Sequence, residues 1–357
     1  MTVKVKVPGK LMIAGEFAVL EPNYKLIVTA VDRFVYATIE DSTYNRLNLV
    51  NFKIKNLPWS YKHNKFKLVK SSNATRFVEQ AMKVTHSYLS ENNYKITPIK
   101  LSVKSELADS TGRKYGLGSS AAVVTSVVKV LLKKFMPEKY SNMLVFKLAS
   151  LAHVITQGNG SGADIAASAF SGMIEYTSFQ AEWLLKAYEN SATVTELIES
   201  DWTYLTINKL SLPNNLQLVV GWTGSPASTK SLVNQLRKLK EKNIIDYKTF
   251  LNSSKEAVDL ILTGFKTKNQ QDVFTGIEMN RQALSEVGKR ASVEIETDKL
   301  YQLSVAAKKS AGAGKLSGAG GGDCGIAFIP KTSSAMELKK EWKTLGITPL
   351  DLTYYSI

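Results

Sequence analysis

The sequence predicts a chain of mixed α+β or α/β class, folded as two domains. Three observations carry this. The 357 residues divide, at about 150 per domain, into two units. Both halves alternate strand-like runs with helical segments. The composition, 44% hydrophobic, 22% charged and 9% aromatic, is that of a chain with a real core, which excludes disordered, collagen-like and disulfide-stapled proteins. The longest apolar stretch, residues 121–132, is interrupted by Lys129 and falls short of the about 20 residues that span a bilayer. The opening MTVKVKVPGK carries no apolar core of a secretory leader. Cys324, the single cysteine, can form neither an internal disulfide nor a multi-thiolate metal centre, and it suits a reducing compartment. His63, His86 and His153 sit in no ligand-like spacing.

Val3, Val5 and Val7 alternate with lysines as a half-buried strand, which Pro8-Gly9 is expected to end. The apolar run LMIAGEFAVL (11–20) follows, then a strand at 26–40 rich in β-branched and aromatic residues. Residues 42–78 hold no acid, and their lysines interleave with Phe52, Trp59, Tyr61 and Phe66. That stretch reads as an exposed ribbon, followed by a helix opening near Ser72-Asn73 and running to about Leu89. A strand at 98–106 leads past Asp109 into YGLGSSAAV (115–123) and a helix to Phe135, apolar nearly all round and therefore buried. A helix at 141–154, the small-residue segment QGNGSGADIAAS (157–168) and a strand at 172–178 come next. Residues 180–200 read as a helical insertion linking two domains, placed at 1–185 and 186–357. Beyond it lie a strand at 216–222, the loop TGSPAST (223–229) and a basic helix at 230–242. Helices near 248–265, 270–287 and 297–311 precede the glycine loop KLSGAGGGDCGIAF (315–328), and a helix at 333–344 precedes a closing strand.

The charge balance, 46 basic against 31 acidic residues for a formal +15, draws anions, whether nucleic acid, a membrane surface or a small phosphorylated substrate. The small-residue loops narrow that choice. Gly116-Leu117-Gly118-Ser119-Ser120, set between a strand and a helix, offers a phosphate unpaired N–H groups and a helix dipole. Its serines suit either a helix cap or Mg²⁺. The loop is not GxxxxGK[ST], and Ala121 stands where GxGxxG needs its third glycine. Glycines at 318, 320, 321, 322 and 325 carry a large ordering cost, which favours close approach to a ligand over a plain connector. Gly314-Lys315 is followed by Leu316, so no Walker loop is present. In GNGSGAD (158–164), Asp164 suits orienting or deprotonating a nucleophile, or capping a helix. Lys10 suits either a phosphate or solvent.

Taken together, PGKLMIAGEFAVL (8–20), YGLGSSAAV and KLSGAGGGDCGIAF resemble, in order and across nearly the whole chain, the three motifs of the GHMP small-molecule kinases. The resemblance implies an α+β, two-domain GHMP kinase fold: an N-terminal domain like ribosomal S5 domain 2, a ferredoxin-like C-terminal domain, and ATP between them. Phe17 stands where mevalonate kinases usually have histidine. GEFAVL and TGSPASTKSLV (223–233) are most similar to the bacterial phosphomevalonate kinase branch, implying transfer of the γ-phosphate of ATP to phosphomevalonate. By this resemblance Gly116, Leu117, Gly118, Ser119, Ser120 and Ala121 hold the nucleotide phosphates, with Ser120 on Mg²⁺, and Lys104 and Asn73 border the nucleotide. Lys10 stabilises the transferring group and Asp164 aligns acceptor and lysine. Ser161, Ser225, Ser228, Thr229, Ser317, Gly318, Ala319 and Gly320 hold the acceptor. Glu16, Asp109 and Asp164 are the carboxylates open to Mg²⁺. The implied setting is cytoplasmic, without membrane or nucleic-acid partner, as a monomer or homodimer. Mevalonate kinase and, on the strength of the basic stretch 42–78, a nucleic-acid-binding protein are the alternatives.

Overall fold

The valine–lysine alternation folds as a long strand, β1 (Thr2–Ala14), antiparallel to β2 (Lys25–Asp41). The computed structural model describes every residue except Met1, His63, Asn64, Ser110, Pro226, Ala227, Ser228 and Ile357. Pro8-Gly9 does not end β1, contrary to expectation; the register shifts there and pairing resumes with Gly9 opposite Val31. A third neighbour explains the shift. The Lys10 N–H donates to the Leu117 carbonyl at 3.1 Å, and a Cβ on Gly9 would stand 2.9 Å from Leu107 Cδ2 and 3.0 Å from Leu117 O. A residue without an N–H and one without a side chain thus let β1 turn toward the 116–118 loop.

The larger sheet adds β3 (Arg46–Leu49), β4 (Ile54–Lys62), β5 (Lys65–Leu68), β6 (Ile99–Ser105), β7 (Met173–Thr177) and β8 (Thr206–Leu210). Its order is β5-β4-β3-β6-β2-β7-β8 with β1 on β2, and only β3 and β6 run parallel. Helices α1 (Arg76–Glu91), α2 (Ser119–Phe135), α3 (Asn142–Gln157) and α4 (Ala163–Phe170) pack together, with α2 and α4 against β1 and β2. As its composition predicts, α2 is buried along most of its length. It opens on Gly118 in the left-handed region (φ 71°) with no side-chain cap, so its first N–H groups remain available. The helix α1 begins at Arg76, later than expected, after a turn in which the Thr75 hydroxyl bonds the Ser72 backbone.

The 180–200 insertion is not a free linker. It forms α5 (Ala181–Asn190) and α6 (Val194–Glu199), whose Leu184, Val194, Leu197 and Ile198 are buried. The Glu91 carboxylate accepts the N–H groups of Val194 and Thr195, and Lys147 donates to the carbonyls of Ile198 and Ser200. Strand β8, beyond residue 186, still belongs to the larger sheet, so sheet membership changes between Leu210 and Leu216.

The smaller sheet contains β9 (Leu216–Trp222), β10 (Ala313–Leu316), β11 (Cys324–Pro330) and β12 (Thr348–Leu350), antiparallel in the order β10-β11-β9-β12. Around it stand α7 (Thr229–Lys242), α8 (Ile244–Thr267), α9 (Gln270–Arg290), α10 (Asp298–Lys309) and α11 (Ala335–Thr344). The main core runs from the larger sheet into Val220, Ile326 and Phe328 of the smaller one. Residues 353–355 then return to β2: Asp32 N–H donates to Thr353 O at 3.2 Å, Tyr355 N–H to Ala30 O at 3.0 Å, and Gly172 N–H to Tyr355 O at 2.8 Å.

The basic ribbon has a closed inner face. Trp59 stacks on Phe66 at 5.4 Å, and these rings with Tyr61 surround His86 of α1. His86 is fully buried; its Nδ1 lies 2.7 Å from the Met82 carbonyl, which makes Nδ1 the protonated nitrogen, and its Nε2 has no partner among the described residues. Burial holds its pKa down at about 4, against an ordinary 6.5. The unfolded ring therefore binds a proton before the folded one does. This contribution to stability is complete above pH 6.5 and is lost as pH falls from 6.5 to 4, amounting to about 3 kcal/mol at about 1.36 kcal/mol per pH unit. Urea unfolding across that window is expected to weaken in the wild type, and His86→Phe is expected to remove this share of the slope.

Candidate active site

The three small-residue loops meet at one place. Lys10 is buried on β1, and its ammonium donates to Gly116 O at 3.0 Å. A Cβ on Gly118 would stand 2.9 Å from Lys10 Cγ and 3.4 Å from Asp164 Cβ, so Lys10 and Asp164 are brought together around a position that has no side chain. Asp164 is the second residue of α4, whose cap position is Gly162 (φ 81°), and its Oδ1 accepts the Ile165 N–H at 3.0 Å. The hydroxyls of Tyr176 and Ser178 both donate to Ser161 O, at 2.5 and 3.0 Å. This clamp fixes the entry to α4 and with it the direction of Asp164.

The third loop is tied to the first through Lys315, which is fully buried in β10. Its Nζ donates to Glu16 Oε1 at 2.5 Å and to Leu316 O at 2.6 Å, and the Gly318 N–H reaches the same Oε1 at 3.3 Å. Burial draws the Lys315 pKa down, with Glu16 opposing the shift. Glu16 Oε2 is buried without a partner among the described residues. Gly320 (φ 77°) passes so close to Ile295 that a Cβ would stand 2.2 Å from its carbonyl oxygen. Asp323 turns the chain with a positive φ of 56°, and its side chain fills the space a Cβ on Gly116 would need. Cys324 is a buried strand residue whose thiol donates to Tyr115 O at 3.0 Å; burial pushes its pKa up to about 12.

A cavity of about 800 Å³ opens at this junction, a size suited to a small molecule. Glu16, Ser161, Asp164, Gly318 and Ala319 line it from the motifs. His153 of α3 also lines it, buried, with Nε2 3.1 Å from Ser120 Oγ. Burial lowers the His153 pKa, with Asp164 opposing and Arg76 reinforcing. The contact pairs the serine hydroxyl with the imidazole, and the ring tautomer sets which of the two donates.

Other expected residues lie elsewhere or play other parts. Ala121 is fully buried in α2, while Ser119 is half-buried at its start. Lys104 and Asn73 are exposed and do not line the cavity. Ser317 is buried, with a hydroxyl that has no partner among the described residues. Ser225 is exposed, with its carbonyl accepting the Asp323 N–H at 2.8 Å; Thr229 opens α7, and Ser228 lies outside the described residues. Asp109 is withdrawn from metal binding: Thr111 and Arg113 occupy its carboxylate and hold its pKa at about 2. The sequence reading missed Arg76, Lys186, Arg237 and Lys240, the cations of the cavity wall, because each stands on a helix among ordinary polar residues. None of the six lysines between 53 and 70 lines the cavity.

Comparison with known proteins agrees with this arrangement. The model of the GHMP kinases N-terminal domain matches residues 76–172, and that of the GHMP kinases C-terminal domain matches residues 275–348. The phosphomevalonate kinase of Streptomyces sp. strain CL190 is 32% identical over 97% of this chain and 95% of its own length. Among solved structures, the Lin0012 protein from Listeria innocua has a TM-score of 0.94 at 38% identity, covering 99% of this chain and 98% of its own. Streptococcus pneumoniae phosphomevalonate kinase in complex with phosphomevalonate and AMPPNP has a TM-score of 0.86 at 27% identity, covering 99% of this chain and all of its own.

The Glu16–Lys315 pair makes a direct prediction. Glu16→Ala and Lys315→Met each leave a buried charge uncompensated and are expected to cost about 3–5 kcal/mol in urea unfolding. The double variant is expected to lose less than the two losses added. A coupling energy below about 0.5 kcal/mol would mean that the two side chains act independently.

Proposed function

The chain belongs to the GHMP kinase family, and from that premise we propose that it transfers the γ-phosphate of ATP to the phosphate of 5-phosphomevalonate, giving ADP and 5-diphosphomevalonate on the mevalonate route to isoprenoids. The observation that carries this reading is the convergence of Lys10, the 116–118 loop and Asp164 beside a cavity that Asp164 and Gly318 line. Phosphoryl transfer needs positioning and charge stabilisation more than covalent chemistry, and these groups supply both. The α2 N-terminus presents N–H groups to the nucleotide phosphates. Lys10, held by Gly116 O at 3.0 Å, stabilises charge on the transferring group.

The acceptor differs from an alcohol in one respect that decides the role of Asp164. A phosphate monoester has a second pKa of about 6 and is largely dianionic at neutral pH. It therefore needs no base, and Asp164 acts by orienting the acceptor and Lys10. Mg²⁺ fits the same reading. Ser120 Oγ stands 3.1 Å from His153 Nε2, and the carboxylate residues Glu16 and Asp164 line the cavity. A metal held by one or two such oxygens and the substrate phosphates would neutralise phosphate charge. Among the described residues no helix is long and apolar enough to cross a membrane, and a cytoplasmic setting suits the free thiol of Cys324.

An ADP-release assay with ATP and Mg²⁺ on phosphomevalonate, mevalonate, homoserine and galactose is expected to give turnover on phosphomevalonate alone; preference for mevalonate would reassign the acceptor and make Asp164 a base. Lys10→Met is expected to lose about 10²–10³ in kcat. Asp164→Asn is expected to lose about 10–10² in kcat, while the acidic limb of the pH–rate profile, set by the acceptor's own phosphate, stays near pH 6. Near-normal turnover in that variant would remove Asp164 from the catalytic groups.

A further inference from the structure

Charge pairing around the cavity is uneven. Glu16 is matched by Lys315, Glu21 by Lys240 at 2.7 Å, and Glu182 by Arg237 at 3.6 Å. Two lining cations, Arg76 and Lys186, have no ion-pair partner among the described residues. They are not equivalent. Both are exposed, and Lys186 stands on α5 with no aromatic contact among the described residues. Arg76 is the first residue of α1, and its guanidinium rests 4.9 Å from the centroid of the Phe77 ring, which stacks on His153 at 5.2 Å. His153 in turn holds Ser120 and senses the charges of both Asp164 and Arg76. Arg76 therefore stands at the reacting end of the cavity, already oriented by an aromatic face.

We propose that Arg76 binds the phosphate of the acceptor and is the residue by which this site selects a phosphomonoester over the corresponding alcohol. The inference rests on the phosphomevalonate reading, since there the acceptor's phosphate is itself the nucleophile and must lie at the reacting end. A guanidinium fork meets a phosphate dianion with two parallel charge-assisted hydrogen bonds. An alcohol in the same place would leave that cation without a counter-charge. The exposed rim position also lets Arg76 meet the ligand without a buried ion pair having to break first.

The test is calorimetric binding of phosphomevalonate and of mevalonate to the full chain, with steady-state KM values for ATP and acceptor. Arg76→Gln is expected to weaken phosphomevalonate about 30-fold while mevalonate affinity and the KM for ATP stay within about twofold. Arg76→Lys, which keeps the charge and loses the fork, is expected to recover only part of that loss. Unchanged phosphomevalonate affinity in Arg76→Gln, equal weakening of both ligands, or an effect confined to the KM for ATP would each overturn the assignment. A wild type that neither binds nor phosphorylates phosphomevalonate would overturn the functional reading, and the assignment with it. Wild-type turnover with unaltered selectivity in the variant would overturn the assignment alone.

Discussion

The buried contact between Glu16 and Lys315 joins parts of the chain 299 residues apart, and the geometry of the site depends on it. Taking two charges out of water costs several kcal/mol per ion, and their attraction offsets this only when further hydrogen bonds complete the pair. Here they do so for one carboxylate oxygen: Lys315 also bonds Leu316 O, and Glu16 Oε1 also receives the Gly318 N–H, while Oε2 has no partner among the described residues. The same carboxylate oxygen thus anchors the strand before the glycine loop and the first turn of that loop. The loop's flexible residues are then confined from the far side by Ile295, through the close passage of Gly320 and the Gly321 N–H bond to its carbonyl. A run of glycines that would otherwise be loose is held at both ends.

Much of this architecture is legible in the sequence because it depends on local pattern. The β-branched run of β2, the apolar α2 and the order of the three motifs are readable one segment at a time. What was not legible depends on neighbours distant in sequence. Pro8-Gly9 reads as a strand end, yet β1 continues because Leu117 supplies a partner that the local pattern does not contain. The 180–200 segment reads as a linker because its charged residues mask the few apolar side chains that dock it, and because Glu91 and Lys147 lie on other helices. Lys315 looks like one more basic residue until Glu16 is found beside it.

Net charge was a poor guide to the site. The formal surplus of +15 suggested a direct use for the basic segment 42–78, but none of its lysines lines the cavity, only Arg76 near its end does, and its aromatics close over His86 instead. Lysines along an edge such as β5 also discourage pairing with other chains. Around the cavity, acids and bases largely match, and the informative quantity is the imbalance left after pairing. A small local excess on ordered side chains selects an anion more sharply than a large diffuse one, which acts mainly at long range and is screened by salt.

The return of residues 353–355 to β2 bears on how the chain comes to be built. These residues supply backbone partners to Ala30, Asp32 and Gly172, and the Asp32–Thr353 contact spans 321 positions. The centre of β2 therefore cannot complete its pairing as it leaves the ribosome; it waits for a stretch synthesised more than 300 residues after Asp32. At about 5–20 residues per second, that delay is about 15–60 s. During that interval the backbone groups of β2 that these residues pair stay open to solvent, and closure by so distant a segment raises the contact order of the fold, which slows folding.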